Sequence, residues 1–133
     1  TGQANGSGWR GYGLHFLGSD YDSTDKYGLG SSYLVWVTRD PAAYQTDQTF
    51  VQLYKSFSDV HMVQVASQAI DSSITSSNDF EVYVNRNNNQ ISVSANGNHV
   101  FTVNDTQMYR SGSGMALRAL GNAEFSSFTL KSR

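Results

Sequence analysis

Residues 79–104 read DFEVYVNRNNNQISVSANGNHVFTVN, three runs of alternating apolar and polar side chains separated by Asn-rich breaks. A period of two is that of a strand with one buried face, and no helix can turn such a pattern to one side. Asn87-Asn88-Asn89 and Asn96-Gly97 fall where the chain must reverse. Asn-Gly is the strongest two-residue hairpin signal, because both positions accept positive φ. The spacing therefore predicts an antiparallel three-stranded meander. The same alternation predicts strands at 11–17, 32–39, 49–55, 60–67, 79–86, 90–95, 98–104, 114–120 and 123–131. No stretch carries helical i, i+3, i+4, i+7 spacing, and Pro41 is the one proline. Many short strands with short connections predict an all-β fold, an antiparallel two-sheet β-sandwich.

A length of 133 residues suits one domain with a real core. The Gly-rich residues 1–10 read as a flexible lead and residues 11–133 as the sandwich. A net charge of -2, with only 15% charged residues, argues against nucleic acid or an anionic membrane as partner. No apolar run reaches a transmembrane length. Cysteine is absent, which excludes disulfides and thiolate metal sites. The polar content is instead neutral, and 8 Tyr, 7 Phe and 2 Trp supply rings that stack. That neutral polar composition suits an extracellular domain, so a secreted protein is expected; the opening TGQANGSGWRG has no Met, no basic n-region and no apolar h-region, so any signal peptide is expected to have been removed or to lie outside this sequence.

Strand parity assigns faces. Leu14, Phe16, Tyr33, Val35, Val37, Val51, Leu53, Met115 and Leu117 are expected in the core. In VHMVQV the β-branched residues favour His61, Val63 and Val65 inside, over Met62 and Gln64. His15, Leu34, Trp36, Gln52, Tyr54, Gln64 and Arg118 take the opposite parity. An indole or phenol packs on the apolar C–H face of a sugar ring, while amides, imidazole and guanidinium hydrogen-bond its hydroxyls. His15, Trp36, Gln52, Tyr54, Gln64 and Arg118 are therefore candidate ligand contacts. The plainer alternative for Arg118 is a cross-strand pair with Glu124.

Read in order, GYGLHF, SYLVWV, FVQLYK and FEVYVNRNNNQISVSANGNHVFTVND lead to YRSGSGMALRALGNAEFSSFTL. The Tyr109 to Leu117 pattern Y-x-S-G-x-x-G-x-x-L and the closing A-x-F-x-x-F-x-L carry most of a likeness. The chain resembles the concanavalin A-like, laminin-G-like jelly roll of many carbohydrate-binding modules. Among these it is most similar to the family 66 fructan-binding modules attached to levanases. The resemblance implies a non-catalytic module that binds a polysaccharide or oligosaccharide and targets a tethered glycan-active enzyme to it. It makes Tyr109 part of the fold. Such domains carry one or two strands before the GYGLHF position, so an N-terminal strand is expected to be lacking here or supplied by a neighbouring segment.

The loop GSDYDSTDKYG places Asp20, Tyr21 and Asp22 at a sheet rim, beside Asp25. The EF-hand pattern is broken by Ser and Lys, so direct sugar contact by Asp20, Tyr21 or Asp22 is expected ahead of calcium, and both stand against the plainer alternative of a solvated connection between two strands. The chain holds two glutamates, Glu81 and Glu124, without the paired-carboxylate array of jelly-roll glycosidases. G-x-S-x-G, H-E-x-x-H and P-loop motifs are also missing, and His15, His61 and His99 show no ligand spacing. Binding without catalysis is the leading expectation. A small jelly-roll hydrolase or lyase is one rival, and a laminin-G-like adhesive module with an exposed apolar patch is the other.

Overall fold

The computed structural model describes residues 1–6, 8–19, 29–39 and 48–131. Asp20, Tyr21, Asp22 and Asp25 of the rim loop lie outside the described residues. The described residues form ten strands: β1 Gly2–Asn5, β2 Arg10–Ser19, β3 Ser31–Arg39, β4 Thr49–Ser58, β5 His61–Ile70, β6 Phe80–Asn85, β7 Gln90–Ala95, β8 Asn98–Asn104, β9 Gly114–Leu120 and β10 Asn122–Phe125. They make an antiparallel β-sandwich. One sheet has the order β5-β4-β3-β2-β9, the opposing sheet is the meander β6-β7-β8, and β1-β10 form a two-stranded ribbon. No described helix is long and apolar enough to cross a membrane.

Alternation places the core where period two requires it. Phe16, Tyr33, Val35, Val51 and Leu53 from the larger sheet close on Ile91 and Val93 of β7 and on Met108. A second cluster joins Ala4, Tyr12, Val37 and Ile74, with Phe80 and Ala123 against it. Tyr12 is wedged edge-on between Phe80 and Phe125, with ring centroids 6.1 and 5.9 Å away. Its hydroxyl donates to the Gly2 carbonyl at 3.1 Å, and burial pushes its pKa up to about 12. At the β7–β8 reversal Asn96 and Gly97 have φ of 52° and 82°, the positive values the Asn-Gly pair was read to supply.

One charged group reaches inward from β4. Lys55 Nζ donates to Asp105 Oδ2 at 2.6 Å and to the Gln107 carbonyl at 2.9 Å. It lies 4.9 Å from the Tyr109 ring centroid. Tyr33 Oη donates to the same carboxylate oxygen at 2.5 Å, and Tyr109 Oη to the Ser56 carbonyl at 2.7 Å. Burial opposes charge on Asp105, yet the donors Lys55, Tyr33 and the Gln107 amide outweigh it and hold its pKa below the ordinary value.

The edges depart from the sequence reading. Gly2–Asn5, read within a flexible lead, forms β1 and buries Ala4. His61, Val63 and Val65 are exposed on the edge strand β5, where a register shift against β4 interrupts the alternation. Met115 and Leu117, read as core, are 37% and 54% exposed. Their parity is right, since Leu117 pairs with Leu14, itself opposite Val35. What they lack is cover, because β9 is the edge of a five-stranded sheet facing only three strands. The strand read at 123–131 ends at Phe125.

Candidate functional site

The outer face of the larger sheet brings the opposite-parity residues together. Across the strands, Gln52 pairs with Trp36, Trp36 with Gly13, and Gly13 with Arg118. The adjacent row runs Gln64, Tyr54, Leu34, His15, Ala116. All six described candidates therefore occupy two neighbouring cross-strand rows.

Trp36 owes its pose to two glycines of β2. A Cβ on Gly11 would come within 2.2 Å of Trp36 Cζ2, and one on Gly13 within 3.0 Å of Trp36 Cε3. The indole is thus laid along bare backbone, flat against the sheet, and keeps partial exposure. One side of the ring therefore rests on the Gly11 and Gly13 backbone. Arg118 approaches from beyond Gly13, the same bare position.

His15 and Gln52 take the outer parity but are only 1% exposed each. They lie beneath the surface as supports, which corrects the picture of them as outward contacts. Arg118 Nη1 lies 3.3 Å from His15 Nε2, and His15 Nδ1 lies 3.0 Å from Ser32 Oγ. A guanidinium only donates, so Nε2 accepts and Nδ1–H points at Ser32, whose hydroxyl donates to the Leu29 carbonyl at 2.8 Å. Burial first, and the Arg118 charge second, lower the His15 pKa to about 4. The imidazole is neutral and orients the guanidinium. Arg118 does not form the cross-strand pair with Glu124, which lies opposite Gln3 on the ribbon.

Tyr54 Oη lies 3.0 Å from Gln52 Oε1 and 3.1 Å from Gln64 Oε1, so one hydroxyl proton serves two amide oxygens in turn. Gln52 Nε2 reaches Ser67 Oγ at 3.4 Å. Trp36, Arg118, Tyr54 and Gln64 thus form the accessible layer and His15 and Gln52 the layer under it. The sequence reading passed over Gly11 and Gly13, although the G-x-G spacing next to a tryptophan strand was the available signal.

Glu81 and Glu124 are exposed on β6 and β10, which belong to different sheets. Asp59 accepts from the Gly30 amide at 2.8 Å. Among the described residues no group of three or more His, Asp or Glu is placed to hold a metal ion. A shallow depression of about 500 Å³ lies between the end of β5 and the β7–β8 turn, lined by Gln68, Asp71, Asn96 and His99, and shares no residue with the Trp36 rows. No family model, curated protein or solved structure matches the chain.

Proposed function

We propose that the chain is a non-catalytic carbohydrate-binding module whose outer sheet face holds a neutral polysaccharide or oligosaccharide. The observation that carries this reading is the Trp36 indole lying flat over Gly11 and Gly13, one position from Arg118. The ring stacks on the C–H face of a sugar, and Arg118, Tyr54 and Gln64 hydrogen-bond its hydroxyls. His15 and Gln52 fix the orientation of those groups from below. Asp20, Tyr21 and Asp22 are proposed as further contacts from the rim loop, with calcium there as the alternative. In this role the module is secreted, belongs to a jelly-roll family like the fructan-binding modules, and raises the local concentration of a tethered glycan-active enzyme without doing chemistry.

Affinity electrophoresis in gels of levan, inulin, xylan, alginate and β-glucan, with and without EDTA, tests the reading. Retardation by at least one polymer is expected, lost in Trp36→Ala and weakened in Arg118→Ala. Full retention by both variants, or release of sugar from any polymer by the isolated chain, overturns it.

A further inference from the structure

The two sheets part at one lateral edge. β5 ends the larger sheet and β8 the smaller, and these two strands pack against each other across the sandwich. The depression of about 500 Å³ opens there, beside the end of β5 and the β7–β8 turn. Its volume is that of a small-molecule site. Ile70, Ala95 and Val100 are its apolar lining, and Gln68, Asp71, Asn98 and His99 stand among its polar one. A bulge shapes the β8 side. Val93 pairs with Phe101 and Ser94 with His99, so Val100 is an extra residue that breaks the alternation. Asn98, His99 and Val100 then line the depression in succession.

The surrounding side chains are partly held and partly open. Asn96 ties the turn down through the Asp79 amide and Asn78 Oδ1, each at 2.9 Å. His99 Nε2 lies 2.8 Å from Thr102 Oγ1, which fixes the ring. Asp71 and Asn98 are exposed, and their side chains make no hydrogen bond and no ion pair among the described residues. A second depression of about 420 Å³ adjoins the first and shares Ile70, Asp71 and Ser72 with it, with Gln48, Thr49 and Ser73 completing its lining. Asp71 is therefore common to both. Among the described residues no Lys, Arg or second acid lines either one, and no Trp, Tyr or Phe does.

We propose that the paired depressions are a second binding site, separate from the Trp36 face, that takes amino sugars carrying a free amine. Without an aromatic platform a neutral sugar has little to stack on here. An ammonium group on the ligand instead donates to the Asp71 carboxylate, and such charge-assisted hydrogen bonds are roughly twice as strong as neutral ones. The Gln68 and Asn98 amides both donate and accept, which suits the flanking hydroxyls. Uronates, sulfates and phosphates are repelled by the same carboxylate. A lysine side chain fits less well, because its long stem packs on continuous apolar surface and these walls are mostly amides and hydroxyls. Two adjoining depressions that share Asp71 accommodate consecutive rings of an oligosaccharide, with the charged bond at their junction.

The test is an amide NMR titration of the 133-residue chain with a glucosamine tetramer, its fully N-acetylated counterpart and tetralysine. The glucosamine tetramer is expected to shift the amides of residues 68–72 and 98–100 saturably. The acetylated tetramer, which has lost its ammonium groups, is expected to bind about tenfold more weakly or worse. Asp71→Asn keeps the shape and removes the charge. It is expected to weaken binding of the glucosamine tetramer by a similar factor, about tenfold, and to leave retention in the polysaccharide gels as in the parent chain. Equal binding of the two tetramers, unchanged binding by Asp71→Asn, or shifts confined to other residues overturns the proposal. So does tetralysine moving the same amides with the same affinity, which would make the edge a peptide site. The gels read the Trp36 face and the titration reads this edge, so each reading fails on its own result.

Discussion

Arg118 Nη1 lies 3.3 Å from His15 Nε2, so a permanent cation leans on a ring that burial keeps neutral. Protonating His15 would remove the acceptor and set two cations together. Its folded-state pKa, about 4, lies below the ordinary value of 6.5. The folded state thus binds fewer protons than the unfolded state between those values. Stability from this group is complete above pH 6.5 and is lost as pH falls toward 4. The shift corresponds to about 3 kcal/mol. Urea denaturation of the parent chain and His15→Gln from pH 7 to 4 checks it. The variant is less stable at pH 7, and the gap is expected to narrow as pH falls. A gap that stays constant contradicts the assignment.

Gly11 and Gly13 face the same indole but differ in what else they touch. The three atoms nearest a Cβ on Gly11 all belong to the Trp36 ring, which can swing away, whereas the nearest to one on Gly13 is the Val35 carbonyl oxygen at 2.2 Å. Gly11→Ala is therefore expected to keep the fold, shift the Trp36 fluorescence in a Trp9→Phe background and weaken glycan retention about tenfold. Gly13→Ala is expected to lose about 2 kcal/mol or more, because the backbone itself must move. Thermal melts read beside emission spectra separate the two outcomes. Equal melts for both variants would mean that the indole is not what rests on Gly11.

The centre of the sandwich was legible because burial there depends on neighbours that alternation already implies. Val35, Val51, Leu53, Ile91 and Val93 have strands on both sides and a sheet across, so parity alone places them. At the edges parity and burial separate. Leu117 faces inward as its pattern requires and is exposed, since cover is supplied by the opposing sheet and not by its own strand. His15 and Gln52 show the converse: correct outward parity, yet 1% exposed, with hydrogen-bond partners Ser32, Arg118 and Ser67 on adjacent strands that are remote in sequence. Trp36 was found as a candidate, but its flat pose depends on two residues with no side chain, which a search for functional groups overlooks.

Lys55 and Asp105 form a nearly buried ion pair, with side chains 8% and 20% exposed, 2.6 Å apart. Removing one partner strands the other charge, and the expected loss is about 3 kcal/mol for Lys55→Met and for Asp105→Asn. Asp105 has its pKa depressed in the fold, so its contribution is present above the unfolded value and disappears as pH falls through the folded one. The double variant Lys55→Met, Asp105→Asn is expected to lose clearly less than the sum of the singles. Chemical denaturation of the four proteins at pH 7 measures the coupling. Strict additivity would show that the pair contributes no interaction to the fold.

Asn96 does two jobs at the β7–β8 turn, and substitution can separate them. Its φ of 52° favours Asn or Gly. Its side chain also ties the turn to the segment that anchors β1: Oδ1 accepts from the Asp79 amide at 2.9 Å, and Nδ2 donates to Asn78 Oδ1 at 2.9 Å. Asn78 is fully buried and donates in turn to the Ser73 and Ser76 carbonyls at 2.9 Å. Gly97 has φ of 82° and open space where a Cβ would stand, so Gly97→Ala is expected to cost only the backbone term, about 1 kcal/mol. Asn96→Gly keeps the backbone and loses two hydrogen bonds, one to a buried partner, for an expected cost of about 2 kcal/mol. Asn96→Ala combines both and should be the worst of the three. Amide exchange then locates the damage: Asn96→Gly is expected to speed exchange at Asn78 and at its bridge partner Gly2, whereas Gly97→Ala leaves those amides as protected as before. Unchanged exchange at Gly2 in Asn96→Gly would mean that β1 is anchored without help from the turn.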